Sequence, residues 1–156
     1  PMDPLSWFGS LGARAGWSRA QKWMQNREAR RRQLREPMMS DARDFATGVG
    51  QAIAGVRAAL RKPAERLTDV SAVWNELPEV NRLVGEAEAR LARVQLDFGP
   101  DSSAATAAEA AIAELRSAAE VLRPGISDLQ GAAAAAERAE QRLRTFNQAA
   151  GEAIRA

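Results

Sequence analysis

Five arginines (Arg27, Arg30, Arg31, Arg32, Arg35) crowd into a short run of this chain, opposed within it only by Glu28. Steps of three and four residues return to one side of a helix, so Arg27, Arg30, Arg31 and Arg35 share a broad face there. Guanidinium is a planar fork that bonds phosphate oxygens in pairs. Such a row can neutralise a polyanion. Arg14, Arg19 and Lys22 add charge upstream, and Trp7, Phe8, Trp17 and Trp23 interleave rings with it. The first 36 residues hold eight basic and three acidic side chains, net +5, whereas the rest hold 14 basic and 17 acidic, net −3. The formal total of +2 conceals that split. Cations mixed with aromatics suit an anionic polymer or surface, nucleic acid or membrane. The rings would stack or anchor; on the plainer reading the segment is a solvated helix whose Trp side chains dock on the rest of the protein. Arg43, Arg57, Arg61, Lys62 and Arg66 extend the positive stripe downstream, diluted by Asp41, Asp44 and Glu65.

The chain has no His, Cys or Tyr. It therefore lacks an imidazole acid or base, a thiolate nucleophile, disulfides and zinc knuckles. Carboxylates alone would have to converge in a pocket, and no cluster in the sequence suggests that they do. A di-metal bundle of the Glu-x-x-His type cannot form. The expectation is a non-enzyme with no catalytic residues, metal or cofactor. Ser127 and Asp128 read as a helix start with a capping box to Gln130, and Gly48, Gly50 and Gly55 match no phosphate-loop fingerprint. The small residues from Thr47 to Val56 read as a place of close helix–helix approach, or of close approach by a phosphate backbone. Nothing resembles a zinc finger, an RNP pair, a GXXG loop or a helix-turn-helix. Binding to nucleic acid would be to the backbone and sequence-independent.

The elements that must position these residues are helices throughout. The fold class expected is all-α, a basic N-terminal helical arm (1–37) followed by an Ala-rich antiparallel helical bundle or hairpin (38–156). Proline punctuates the reading: an arm helix from near Ser10 to Glu36 stopped by Pro37, a second from Ser40 or Asp41 to Lys62 broken by Pro63, a short third over 64–77, and Pro78 in the first turn of a fourth. Two more helices begin, one at Asp101 or Ser102 and one near Ser127. The apolar seams are Phe45, Val49, Ala52, Val56, Ala59; Val80, Val84, Ala87, Leu91, Val94, Phe98; Ala105, Ala108, Ile112, Leu115, Ala119, Leu122; and Leu129, Ala132, Ala136, Ala139, Leu143, Phe146, Ala150, Ala153. Trp74 reads as core. No membrane-spanning run or secretory signal is expected, and Pro1-Met2 reads equally as a protease scar or as a native start.

The arm sequence Trp17-Ser18-Arg19-Ala20-Gln21-Lys22-Trp23, followed by Arg27 to Arg35, on a small all-α chain resembles the coat proteins of filamentous archaeal viruses. The likeness covers about a third of the chain; the lack of Tyr and the long Ala heptads depart from it. It implies a multi-copy structural protein of a virion, nucleocapsid-like, whose arm holds double-stranded DNA and whose body meets itself or a similar subunit in a filament. Outside that likeness the expected location is cytoplasmic. Two other readings stand beside it. In one, Leu5, Trp7, Phe8, Leu11, Trp17 and Trp23 enter a membrane interface while arginines meet anionic headgroups. In the other, the body is an adaptor for partner helices.

Overall fold

The computed structural model describes residues 4–66 and 71–156, with side chains at 16–61 and 71–156. All elements among the described residues are α-helices: α1 (Pro4–Arg66), α2 (Ser71–Phe98), α3 (Ser103–Val121) and α4 (Leu129–Arg155). The chain falls into two compact units, Pro1–Pro37 and Met38–Ala156.

Proline stops fewer helices than the sequence predicts. α1 passes through both Pro37 and Pro63, and Pro78 lies inside α2. The expected breaks after Glu36 and Lys62, and the separate helix over 64–77, are thereby corrected. Proline removes one N–H and crowds the carbonyl four residues back, at a cost of about 3 kcal/mol. At Pro37 that carbonyl belongs to Gln33, and at Pro78 to Trp74, both exposed residues. Water can take the bond that proline cannot give. The residues before Pro37 are good helix formers, so propensity outweighs the break.

Within the unit Met38–Ala156 the helices alternate in direction. Gly48 of α1 faces Ala87 and Arg90 of α2, and Gly55 faces Leu83. Gln95 bonds Glu109 across α2 and α3, and further back along α2 Glu88 pairs with Arg116. Glu114 of α3 holds Arg138 of α4 at 2.9 Å. α4 closes against α1 through the Phe45–Phe146 ring contact and the Arg57–Glu140 ion pair. These pairings describe an up-down-up-down bundle.

Its core is built from the anticipated seams. Phe45, Val49, Val56, Val80, Val94, Leu115, Leu122 and Phe146 are fully buried. Phe146 receives Phe45 edge-on at 4.8 Å and Phe98 at 6.4 Å, the arrangement aromatic quadrupoles favour. Leu91, Phe98, Leu129 and Leu143 are half-buried at the margin, and Ala153 lies exposed. α3 buries a wider arc than one seam, adding Ala104, Ala107, Ala111 and Ala118. Small buried side chains of this kind let helix axes approach near the short end of the roughly 8–10 Å range. The Gly48 and Gly55 approaches are helix–helix contacts: a Cβ would come within 2.7 Å of an Arg90 nitrogen at Gly48 and of Leu83 Cδ1 at Gly55.

The turns are set by local chemistry. Gly99 (φ 92°) and Gly125 (φ 93°) take the left-handed conformation that ends α2 and shapes the α3–α4 link, where a Cβ is disfavoured. Ser102 Oγ accepts the Ala105 N–H at 3.1 Å and caps α3. For α4 the expected Ser127–Gln130 box is corrected. Ser127 is left-handed (φ 47°), and Asp128, with an extended backbone, accepts the Gly131 N–H at 2.8 Å. An N-cap must be non-helical with its oxygen over the first turn, and Asp128 meets that geometry. Ser127 instead accepts the Trp74 indole N–H at 3.1 Å. Trp74 is 39% exposed, a lid on the bundle end and not the core residue expected.

Candidate nucleic-acid interface

The described part of the unit Pro1–Pro37 is helical, and its side chains face outward. Arg19, Lys22, Arg27, Arg30, Arg31 and Arg32 are exposed and Arg35 is half-exposed. They span about 24 Å of helix at 1.5 Å per residue. Among the described residues, Arg32 alone of these seven has a carboxylate partner, Glu28 at 3.3 Å, four residues back and itself exposed. An exposed pair of that kind contributes only a few tenths of a kcal/mol. The remaining charge is uncompensated, and like charges at helical spacing repel.

The rings are equally open. Trp17 is 66% and Trp23 61% exposed, with Met24 and Leu34 also outward. The Arg27 guanidinium lies 5.0 Å from the Trp23 ring centroid, within cation–π range. Trp23 and Arg27 together form a ridge between two shallow recesses. One is lined by Met24, Glu28, Arg31, Arg32 and Arg35 besides the ridge, the other by Asn26 and Arg30. Trp17, Ala20, Met24, Arg27, Arg31 and Leu34 follow one another at alternating three- and four-residue steps. Cations thus sit inside the apolar stripe, not beside it.

The unit Met38–Ala156 treats its arginines differently. Arg57 donates to Glu140 at 2.6 Å, an interaction that draws the Glu140 carboxyl below its ordinary range. Arg82 bridges Glu79 and Glu86, and Arg82 likewise lowers the Glu79 carboxyl. Arg116 holds Glu88, Arg123 holds Glu120, and Arg138 holds Glu114. Arg90 reaches the Asp44 carbonyl oxygen at 2.8 Å. Of the downstream cations named from the sequence, Arg57 is therefore occupied by a helix–helix contact, while Arg43 and Arg61 are exposed on α1. Their sequence signal was charge alone, which cannot distinguish a clamp from a free cation. The side chains of Trp7, Phe8, Arg14, Lys62 and Arg66 lie outside the described residues.

One titratable site was not anticipated. Asp97, near the end of α2, has its Oδ2 buried without a hydrogen-bond donor. Burial raises its carboxyl to about 6, helped by the neighbouring Asp41 carboxyl and opposed by Arg93. Arg93 stands 3.8 Å from Asp41. No sequence signal marks the pair, because 56 positions separate its members.

Among the described residues no group of acidic side chains is arranged to hold a metal ion, and no helix is long and apolar enough to cross a membrane. Comparison of the chain with protein-family models, curated proteins and solved structures found no match.

Proposed function

We propose that this chain is a structural, non-enzymatic nucleic-acid-binding protein that grips the phosphate backbone through residues of its N-terminal helical segment and self-associates through its helical bundle. The observation that carries the reading is the contrast in charge compensation. Arg19, Lys22, Arg27, Arg30, Arg31 and Arg35 lack carboxylate partners among the described residues, while most arginines of the bundle are paired. A row of uncompensated cations is relieved by a polyanion, which releases its counterions on binding. Backbone contact carries no sequence information, in keeping with the absence of a base-reading motif. Double-stranded DNA packaged in a virion filament, as in the coat proteins that the sequence resembles, is the assembly this reading envisages.

The position of Arg27 and Arg31 supports nucleic acid over a membrane interface. A helix lying in a bilayer surface keeps its apolar face free of charge, with cations at the flanks. Here both arginines would be carried toward the acyl chains along with Trp17, Met24 and Leu34. The Ala-rich core supports self-association, because Ala layers bury little apolar area per turn and additional copies would supply more. Leu96, 84% exposed on α2, is an apolar side chain open to such a contact.

The test is binding of the full chain to a DNA duplex over a salt series, with anionic vesicles in parallel. Tight, sequence-blind binding that weakens steeply with salt is expected. Vesicle binding without duplex binding would reject the nucleic-acid reading. Sedimentation over a range of concentrations tests the second half: a chain monomeric throughout, with and without DNA, does not self-associate.

A further inference from the structure

Phosphate neutralisation explains the arginines but leaves the exposed indoles without a role. Trp23 holds the centre of a short row. Trp23, Asn26, Arg27 and Arg30 occupy positions i, i+3, i+4 and i+7 of the helix and line one shallow, open recess. Arg19, one turn upstream, lies on the same side by the same spacing. The indole is therefore bracketed along the helix axis by guanidinium groups. With 61% of its surface exposed and Arg27 at 5.0 Å from the ring, it has a cation at one side and open surface besides.

Resting on the nucleic-acid reading above, we propose that Trp23 is a stacking platform for an unpaired base, so that the segment holds single-stranded nucleic acid, or opened stretches of a duplex, by ring contact as well as by charge. The charge requirement is the same for both ligands. The difference lies in the rings: in a duplex both faces of each internal base are already stacked, whereas a single strand presents free π-faces. Base–aromatic stacking is sequence-tolerant and adds to backbone attraction in single-strand binders. Arg27 and Arg30 lie where the flanking phosphates of a stacked nucleotide can be reached. The Asn26 amide, donor and acceptor both, can meet a base edge without selecting one base. Arg27 restrains the ring before the ligand arrives, lowering the ordering cost of binding.

Full-length chain and its Trp23→Ala and Trp23→Phe variants are titrated with an oligo-dT strand and with a blunt duplex of equal length, each over a salt series. Trp23 is exposed, so neither variant should disturb folding, and circular dichroism checks this. Trp23→Ala is expected to weaken the single-strand complex about tenfold or more, to change duplex affinity less than twofold, and to leave both salt slopes intact. Trp23→Phe should recover part of the loss. Equal losses on both ligands, or none on either, overturn the stacking platform while the duplex salt slope keeps the backbone reading alive. If the unaltered chain binds neither ligand, both readings fall together.

Discussion

Residues 16–37 and the bundle that follows are both helical and both rich in arginine, yet they treat charge and rings in opposite ways. In the bundle three arginines join elements: Arg57 ties α1 to α4, Arg116 ties α3 to α2, and Arg138 ties α4 to α3. In the N-terminal segment, among the described residues, one arginine is paired, Arg32 with Glu28. Phe45, Phe98 and Phe146 meet one another in or beside the core, whereas Trp17 and Trp23 face outward. The same residue types thus serve cohesion in one region and stay exposed in the other. Composition does not separate these uses; the placement of carboxylates and of apolar neighbours does.

The contrast breaks most visibly at its extremes. Phe146→Ala removes the ring that joins Phe45 and Phe98, and should cost about 3–5 kcal/mol of stability, read by urea denaturation. The exposed Trp23→Ala should stay within about 0.5 kcal/mol of the parent. A comparable loss from Trp23→Ala would mean that the segment is part of the folding unit. Conversely, replacing Arg27, Arg30, Arg31 and Arg35 together by Gln should leave urea stability nearly unchanged. It should lower the duplex salt slope by about 3–4, roughly 0.9 per lost phosphate contact. An unchanged slope would place the binding surface elsewhere.

Smaller effects sharpen the picture of the bundle. Gly85→Ala adds a Cβ where nothing lies within 4 Å, so helix propensity alone should raise stability by about 0.8–1 kcal/mol. Gly48→Ala should gain less or turn negative, since the new methyl displaces Arg90 from the Asp44 carbonyl. Equal gains at the two sites would show that Arg90 yields freely. Thermal melts resolve the difference.

Asp97 supplies the pH signature. Its carboxyl is raised to about 6 from an ordinary 3.8, so the folded state binds its proton more readily than the unfolded chain does. Stability should therefore rise as pH falls from 7 through 6 toward 5, and Asp97→Asn should flatten that rise. Below about pH 4.5 the opposite trend takes over, as Glu79 and Glu140, held low by Arg82 and Arg57, become protonated and release their partners. A parent chain whose melting temperature falls steadily from pH 7 to 5 would contradict the assignment.

The all-helical class was legible because apolar residues recur at three- and four-residue steps over much of the chain. The seam from Phe45 to Ala59 and that from Ala105 to Leu122 are buried as their spacing predicts. Of the two starts open for α3, Asp101 and Ser102, Ser102 is the cap. The errors arose where a local rule met a compensating surrounding. Pro37 and Pro78 interrupt bonds to carbonyls of exposed residues, and the helices continue. Ser127 has a capping side chain but a left-handed backbone, so Asp128 caps instead. Trp74 reads as core, although its indole N–H needs a partner and finds Ser127 at 3.1 Å. At the candidate interface the spacing of cations was legible. The Arg57–Glu140 clamp was not, because partners 83 positions apart leave no mark in a local window.

The small side chains of α3 and α4 have a consequence for what sets their register. Large side chains key a helix pair like the wards of a lock, so that each layer fits one place only. Here the keys are few: Ile112 and Leu115 on α3, Leu122 at its C-cap and Phe146 on α4, with buried alanines between them, Ala104, Ala108, Ala111, Ala118 on one helix and Ala132, Ala135, Ala136, Ala139 on the other. Register along the hairpin therefore rests on those few side chains, and the alanine layers between them act as plain spacers.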